Sequence, residues 1–181
     1  MTASALWQRL DLPGHDAAFL SAGGEGWLLR GMAVFGQGGE PACVAYEVAT
    51  LRDWSTLRGE LHGHCHGRAF RHVIERRDEG WYFDGRLQAG LDAALDLDFG
   101  FTPSTNLLQM KRVVLGRTGA VDLPVAWFDP GMDALALLPQ RYERRGAASF
   151  WYQAPTVGYE GMLELADSGF VARYPGLWVL C

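Results

Sequence analysis

The stretch Trp27-Leu28-Leu29-Arg30-Gly31-Met32-Ala33-Val34-Phe35-Gly36-Gln37-Gly38-Gly39-Glu40-Pro41-Ala42-Cys43-Val44-Ala45-Tyr46-Glu47-Val48 sets the fold class. Trp27, Leu29, Gly31, Ala33 and Phe35 fall on one side of an extended chain, and Val44, Tyr46 and Val48 on one side of a second. Successive side chains of a strand point to opposite faces, so period two reads as strand. The run Gly36 to Gly39 followed by Pro41 supplies the turn between them. The face opposite Trp27 is also apolar, with Leu28, Met32 and Val34. A sheet with one solvated face alternates apolar with polar. Something therefore covers the second face: the rest of a strongly curved sheet, a partner subunit or an apolar ligand.

The same grammar runs outward in both directions. Val121, Leu123, Val125 and Trp127 line up, as do Val157, Tyr159, Gly161, Leu163 and Leu165, and then Phe170, Ala172 and Tyr174. In 132–138 apolar residues again occupy both faces. Asp84-Gly85 predicts a two-residue hairpin turn with positive φ at both positions. Gly116-Arg117-Thr118-Gly119, Arg145-Gly146 and Asp167-Ser168-Gly169 mark further turns. Pro124 inside a strand-like run predicts an edge or a bulge. Ala17 to Leu20 and Asn106 to Met110 are each read as about one helical turn. The chain of 181 residues carries 23 Gly and 22 aromatics, 7 of them Trp. Gly serves turns and sharp bends, and aromatics favour pleated, half-buried surface. The reading is one all-β, mostly antiparallel domain spanning 1–181: a barrel, a roll or a sandwich.

Several classes of protein drop out. The aromatic content argues against disorder. The longest apolar run, Ala134 to Leu138, is far short of the ~20 residues that cross a bilayer as a helix. A net charge of −5 argues against a nucleic-acid surface, which needs clustered Lys and Arg. Cys43, Cys65 and Cys181 are widely spaced and read as free thiols of a reducing compartment. Met1 to Pro13 lacks the basic and apolar regions of a secretory signal, so a cytoplasmic location is expected.

Two clusters bear on chemistry. His62, His64 and His66 would share one face of a strand, and neutral imidazoles two apart can ligate a metal. Three in a row span ~13 Å, so one ion would take two of them and a third residue such as His72 or Glu60. Arg58 and Glu60 extend the same face, which favours a solvated or groove-lining role. Asp92, Asp96 and Asp98 could serve acid–base work or a hard cation, or cap amides and pair with Arg. No G-x-S-x-G occurs, and no Gly-rich stretch opens a helix to cradle phosphate. Strand alternation turns Cys65 away from His64 and His66.

The segment Leu95-Asp96-Leu97-Asp98-Phe99-Gly100-Phe101-Thr102-Pro103-Ser104-Thr105-Asn106-Leu107-Leu108-Gln109-Met110-Lys111-Arg112 resembles the D-x-D…T-P-x-T-N…R signature of a bacterial family filed as "putative glycolipid-binding". Gly80 to Gly85, Gln140-Arg141-Tyr142 and Asp167 to Leu177 resemble its flanking motifs in the same order. The resemblance implies a strongly curved antiparallel sheet, a spiral β-roll or incomplete barrel with at most short helical turns. It implies a lipid or glycolipid ligand and no known catalytic residue. The sequence departs from the pattern at Ala93-Ala94, where many members have Gly-Cys, and at Gln109-Met110, where a Pro often precedes the basic pair.

Within the signature, Thr105 and Asn106 read as caps of a short helical segment. Asp96, Asp98 and Arg112 read as a polar knot across neighbouring strands. The expected function is a non-enzymatic lipid- or glycolipid-binding protein, needing no cofactor, with the ligand held inside the curved sheet. Its expected ligand-binding residues are Trp27, Leu29, Phe35, Asp96, Asp98, Asn106, Arg112, Trp127, Phe128 and Tyr142. Two alternatives stay open: a metal-dependent enzyme using two of His62, His64 and His66, and a structural or interaction protein with a self-filled core.

Overall fold

A computed structural model describes residues 2–116 and 118–181. The turn at Gly116 to Gly119 therefore has one position, Arg117, outside the described residues. The first half of the chain is a meander of long strands: β1 (Ala3–Arg9), β2 (Gly14–Gly23), β3 (Gly26–Gln37), β4 (Glu40–Leu51), β5 (Thr56–Cys65), β6 (Arg68–Arg77), β7 (Gly80–Phe83) and β8 (Arg86–Gln88). A short strand β9 (Leu97–Phe99) leads to a helical turn α1 (Asn106–Gln109), which continues as a π-helical turn over Met110–Val114. The second half is β10 (Ala120–Phe128), β11 (Ala136–Arg144), β12 (Ser149–Ala154), β13 (Tyr159–Leu165), β14 (Val171–Tyr174) and β15 (Trp178–Leu180).

The described strands form one curved, unclosed sheet in the order β8-β7-β6-β5-β4-β3-β2-β1-β15-β14-β13-β12-β11-β10-β9. The two meanders join where β1 pairs with β15, Trp7 opposite Leu180. Neighbours are antiparallel except β9 and β10, which run parallel. The all-β reading therefore holds, with one parallel pair at an edge. Asp84 (φ 48°) and Gly85 (φ 77°) make the expected two-residue turn, with Phe83 opposite Arg86. Pro124 faces Pro139 of β11 and has no partner on its other side, because β9 begins to pair only at Ala126.

Two local readings change. Ala17 to Leu20 is strand, not helix: Ala18 and Leu20 are buried and Phe19 is 61% exposed, a period of two that neighbour pairing to β1 and β3 enforces. The apolar run at 132–138 is loop up to Leu135 and joins β11 only at Ala136.

The inner face carries the core. Leu29, Ala33, Val44, Val48, Leu61 and Ile74 are fully buried there. The chain's own helical segment occupies the space the sheet wraps around. Leu107 and Leu108 pack with the β1–β7 half, and Met110 and Val114 with the β10–β14 half. The edge strand β9 closes down on β5, where Gly59 gives it room: a Cβ there would stand 2.3 Å from Leu97 Cδ2. Thr56 Oγ1 accepts from Leu97 N (3.0 Å), and Trp81 Nε1 donates to Ala94 O (3.0 Å). These bonds satisfy an edge that would otherwise present bare backbone groups.

Candidate functional site

The signature segment builds a polar cluster inside the roll. Asp96 is fully buried, and Arg112 grips both its oxygens from Nε (2.8 Å) and Nη2 (2.7 Å). Asp98 does not join that pair. It accepts from Thr105 Oγ1 (2.7 Å) and from Gln140 Nε2 (2.7 Å). Thr105 is thus no helix cap: its hydroxyl is committed to Asp98 and accepts Phe99 N (3.2 Å), and its own backbone is already helical. Asn106 Nδ2 donates to the Tyr142 hydroxyl (3.0 Å), which donates to Gln109 Oε1 (2.8 Å). Burial pushes the Asp98 carboxyl up, against the pull of its hydrogen bonds. Asp96 is pushed up by burial and pulled back by Arg112.

A second knot lies beside it. Tyr46 leans over Gly31, where a Cβ would stand 2.2 Å from its Oη. Its hydroxyl donates to Asp16 (2.9 Å to Oδ2) and lies 2.7 Å from Ser104 Oγ. Thr102 Oγ1 also donates to Asp16. Burial raises the Asp16 carboxyl to about 6. A fourth carboxyl, Asp129, is likewise raised by burial to about 6, with Arg9 opposing.

The ten residues expected to bind ligand therefore largely bind one another. Leu29, Phe35 and Phe128 are core, though Phe35 and Phe128 each also border an open cleft; Asp96, Asp98, Asn106, Arg112 and Tyr142 form the polar cluster, and Trp127 is half-buried against the second core cluster. Trp27 stacks on Trp54 at one end of the roll. Tyr142→Phe is expected to cost about 1–3 kcal/mol, because it strips partners from buried amides of Gln109 and Asn106. Urea denaturation measures this, and an unchanged midpoint would show the cluster to be slack.

Open space lies on the outer face instead. Register aligns Val34, Cys43, His64 and Ala69 across β3–β6, and Met32, Ala45, His62 and Arg71 in the next row. Over the first row runs a cleft of about 730 Å³, walled by Leu12, Pro13, Val34, Pro41, Cys43 and His64. A cleft of about 390 Å³ continues it past Met32, Ala45 and Gly63 to Phe70, sharing Cys43 and His64. A third, of about 310 Å³, shares Ala45 and His62 and adds Glu47, Glu60 and Arg71. A separate cleft of about 470 Å³ opens on the inner side of β6, where His72 packs on Phe83 and Phe128. The three clefts on the outer face make one trough whose lining changes from apolar to charged along its length.

Of the three histidines, His62 and His64 line the trough from the outer face. His66 leaves the strand: β5 ends at Cys65, and His66 sits in the turn with φ 52°. No group of three or more His, Cys, Asp or Glu is placed to hold a metal ion among the described residues. Leu12, Pro13, Cys43 and Val34 were not expected as site residues. The apolar outer face, Met32 and Val34, was the available signal, but the row joining them to Cys43 and His64 depends on register, which alternation alone does not give.

A solved structure described as a DUF1089 family protein from Pseudomonas aeruginosa superposes with a TM-score of 0.71 at 19% identity, covering 99% of this chain and 91% of that one. At that identity the likeness speaks for the fold. No curated protein matches the chain. The sequence profile of the family described as "Putative glycolipid-binding" matches residues 4–179, nearly the whole chain, and with the signature segment folded as its polar centre the chain belongs to that family.

Proposed function

We propose that the protein is a non-enzymatic lipid- or glycolipid-binding protein whose ligand lies in the outer trough of β3–β6. The acyl chain runs along Leu12, Pro13, Val34, Cys43 and Met32, and the head group rests among His62, Glu60 and Arg71. The observation that carries this reading is the continuity of the three outer-face clefts, apolar at one end and charged at the other. Ligand sites are mostly apolar with a few placed polar groups, and a mixed set of acid and base suits sugar hydroxyls. Family membership supports the ligand class.

Native mass spectrometry after incubation with a bacterial lipid extract tests it. Wild type is expected to retain a lipid. Val34→Asp, which puts a charge on the apolar wall, is expected to retain it at least about tenfold more weakly, a loss of ~1.4 kcal/mol. Equal retention by the variant would place the ligand elsewhere, and none in wild type would remove the reading.

A specific observation favours a second use of the outer face. Leu6, Ala17 and Met32 are neighbours across β1–β3, and the exposed Phe19 and Val34 flank them. Such a contiguous exposed apolar patch suits protein contact. Light scattering showing a monomer at high concentration would remove self-association from consideration.

A further inference from the structure

At the opposite end of β3 from the trough, the turns β2–β3 and β4–β5 enclose a cleft of about 520 Å³ lined by Ala22, Gly23, Gly24, Gly26, Trp27 and Arg52. Seven residues of strand, ~24 Å, separate Trp27 from Val34, so this cleft is independent of the proposed lipid trough. Three features coincide here. The Trp27 and Trp54 rings stack in parallel, with centroids 4.6 Å apart and planes 8° apart. Trp54 holds that stack from a left-handed backbone, φ 72°, which a bulky side chain rarely adopts. Trp27 Nε1 is buried with no hydrogen-bond partner. Both rings pack against the main core from the end of the roll and are only partly buried, and that packing leaves the Trp27 Nε1 unpaired. Strained backbone and unpaired buried donors gather where a protein prepares a surface for something else.

The remaining wall is small or cationic. The glycines present no side chains, and Arg52 is exposed with no ion pair or side-chain hydrogen bond among the described residues. Asp53 beside it is turned onto Ser55, through Oδ1 to the amide (3.0 Å) and hydroxyl (2.6 Å). A rigid indole wall beside an unengaged guanidinium matches a pyranose: apolar C–H groups against the ring, hydroxyls on the Arg fork.

We propose that this cleft is a saccharide-binding subsite, with Trp27 as stacking platform, Trp54 as the brace that fixes it and Arg52 as the polar anchor. Saturation-transfer NMR with methyl β-glucoside and methyl β-glucuronide tests it, the pair separating neutral from acidic sugars. Saturation is expected to reach the ring C–H protons of at least one sugar. Arg52→Ala, an exposed change that leaves the melting temperature where it was, is expected to cut the signal at least about fivefold. Trp54→Gly, which removes the brace and relieves the left-handed backbone, is expected to cut it similarly while retaining a cooperative melt. Absence of transfer to both sugars in wild type, or transfer that survives Arg52→Ala, overturns the proposal.

Discussion

Arg112→Met is expected to destabilise the protein by about 3–5 kcal/mol, because it leaves the Asp96 carboxylate buried without its cation. Asp96 has no exposed surface, and both of its oxygens are held by Arg112 at hydrogen-bond distance. Against a total stability of ~5–15 kcal/mol for a domain, that is a large share, and the melting temperature should fall by roughly 10 °C. The pair as a whole contributes far less than its breakage costs. Arg112→Met combined with Asp96→Leu is therefore expected to recover most of the loss, since two apolar groups of similar volume need no solvation. A double mutant as unstable as Arg112→Met would mean that the pair acts through something other than mutual neutralisation.

The second large effect is on pH. Asp16 ordinarily titrates near 3.8 and in the fold near 6, pushed up by burial against the bonds from Thr102 and Tyr46. A carboxyl raised by folding binds its proton more tightly in the native state. Stability is therefore greatest below the unfolded value and is withdrawn as pH rises through the folded one. Between pH 4 and 7 Asp16 alone withdraws roughly 2–3 kcal/mol. Asp129, also raised to about 6, pulls the same way. Urea denaturation at pH 4, 5.5 and 7 should show falling stability. Asp16→Asn, which keeps an acceptor for Tyr46, should flatten part of the slope, and Asp129→Asn a further part. Equal stability at pH 4 and 7 in wild type would sink the assignment.

Legibility in the sequence followed the range of the interaction. Strands β3 and β4 were readable because alternation is a property of neighbours, and Asp84-Gly85 because its turn needs only two residues. The roll itself needed the family resemblance, since alternation is equally compatible with a barrel or a sandwich. Thr105 shows where local rules fail. Its preference for capping is intrinsic, but a buried carboxylate seven residues back competes for the same hydroxyl and wins. Ala17 to Leu20 shows the same contest, with sheet pairing overriding a weak helical pattern. Tyr46, Asp16 and Thr102 meet across three separate segments, and nothing in their spacing announces it. The trough is a surface feature of register, so Leu12 and Pro13 carried no signal at all.

The pairing of β1 with β15 has a kinetic consequence. Strands β1 to β8 can zip as successive hairpins while the chain is still being made, each closing only a short loop. The outer edge of β1 has no such local partner. It waits for a strand more than 160 residues later, Trp7 for Leu180. Until then a run of unpaired backbone amides, next to the apolar Leu6 and Phe19, stands open to other nascent chains. The seam that unites the two halves is thus the slowest contact to form and the point at which synthesis at high concentration should divert molecules into intermolecular sheets.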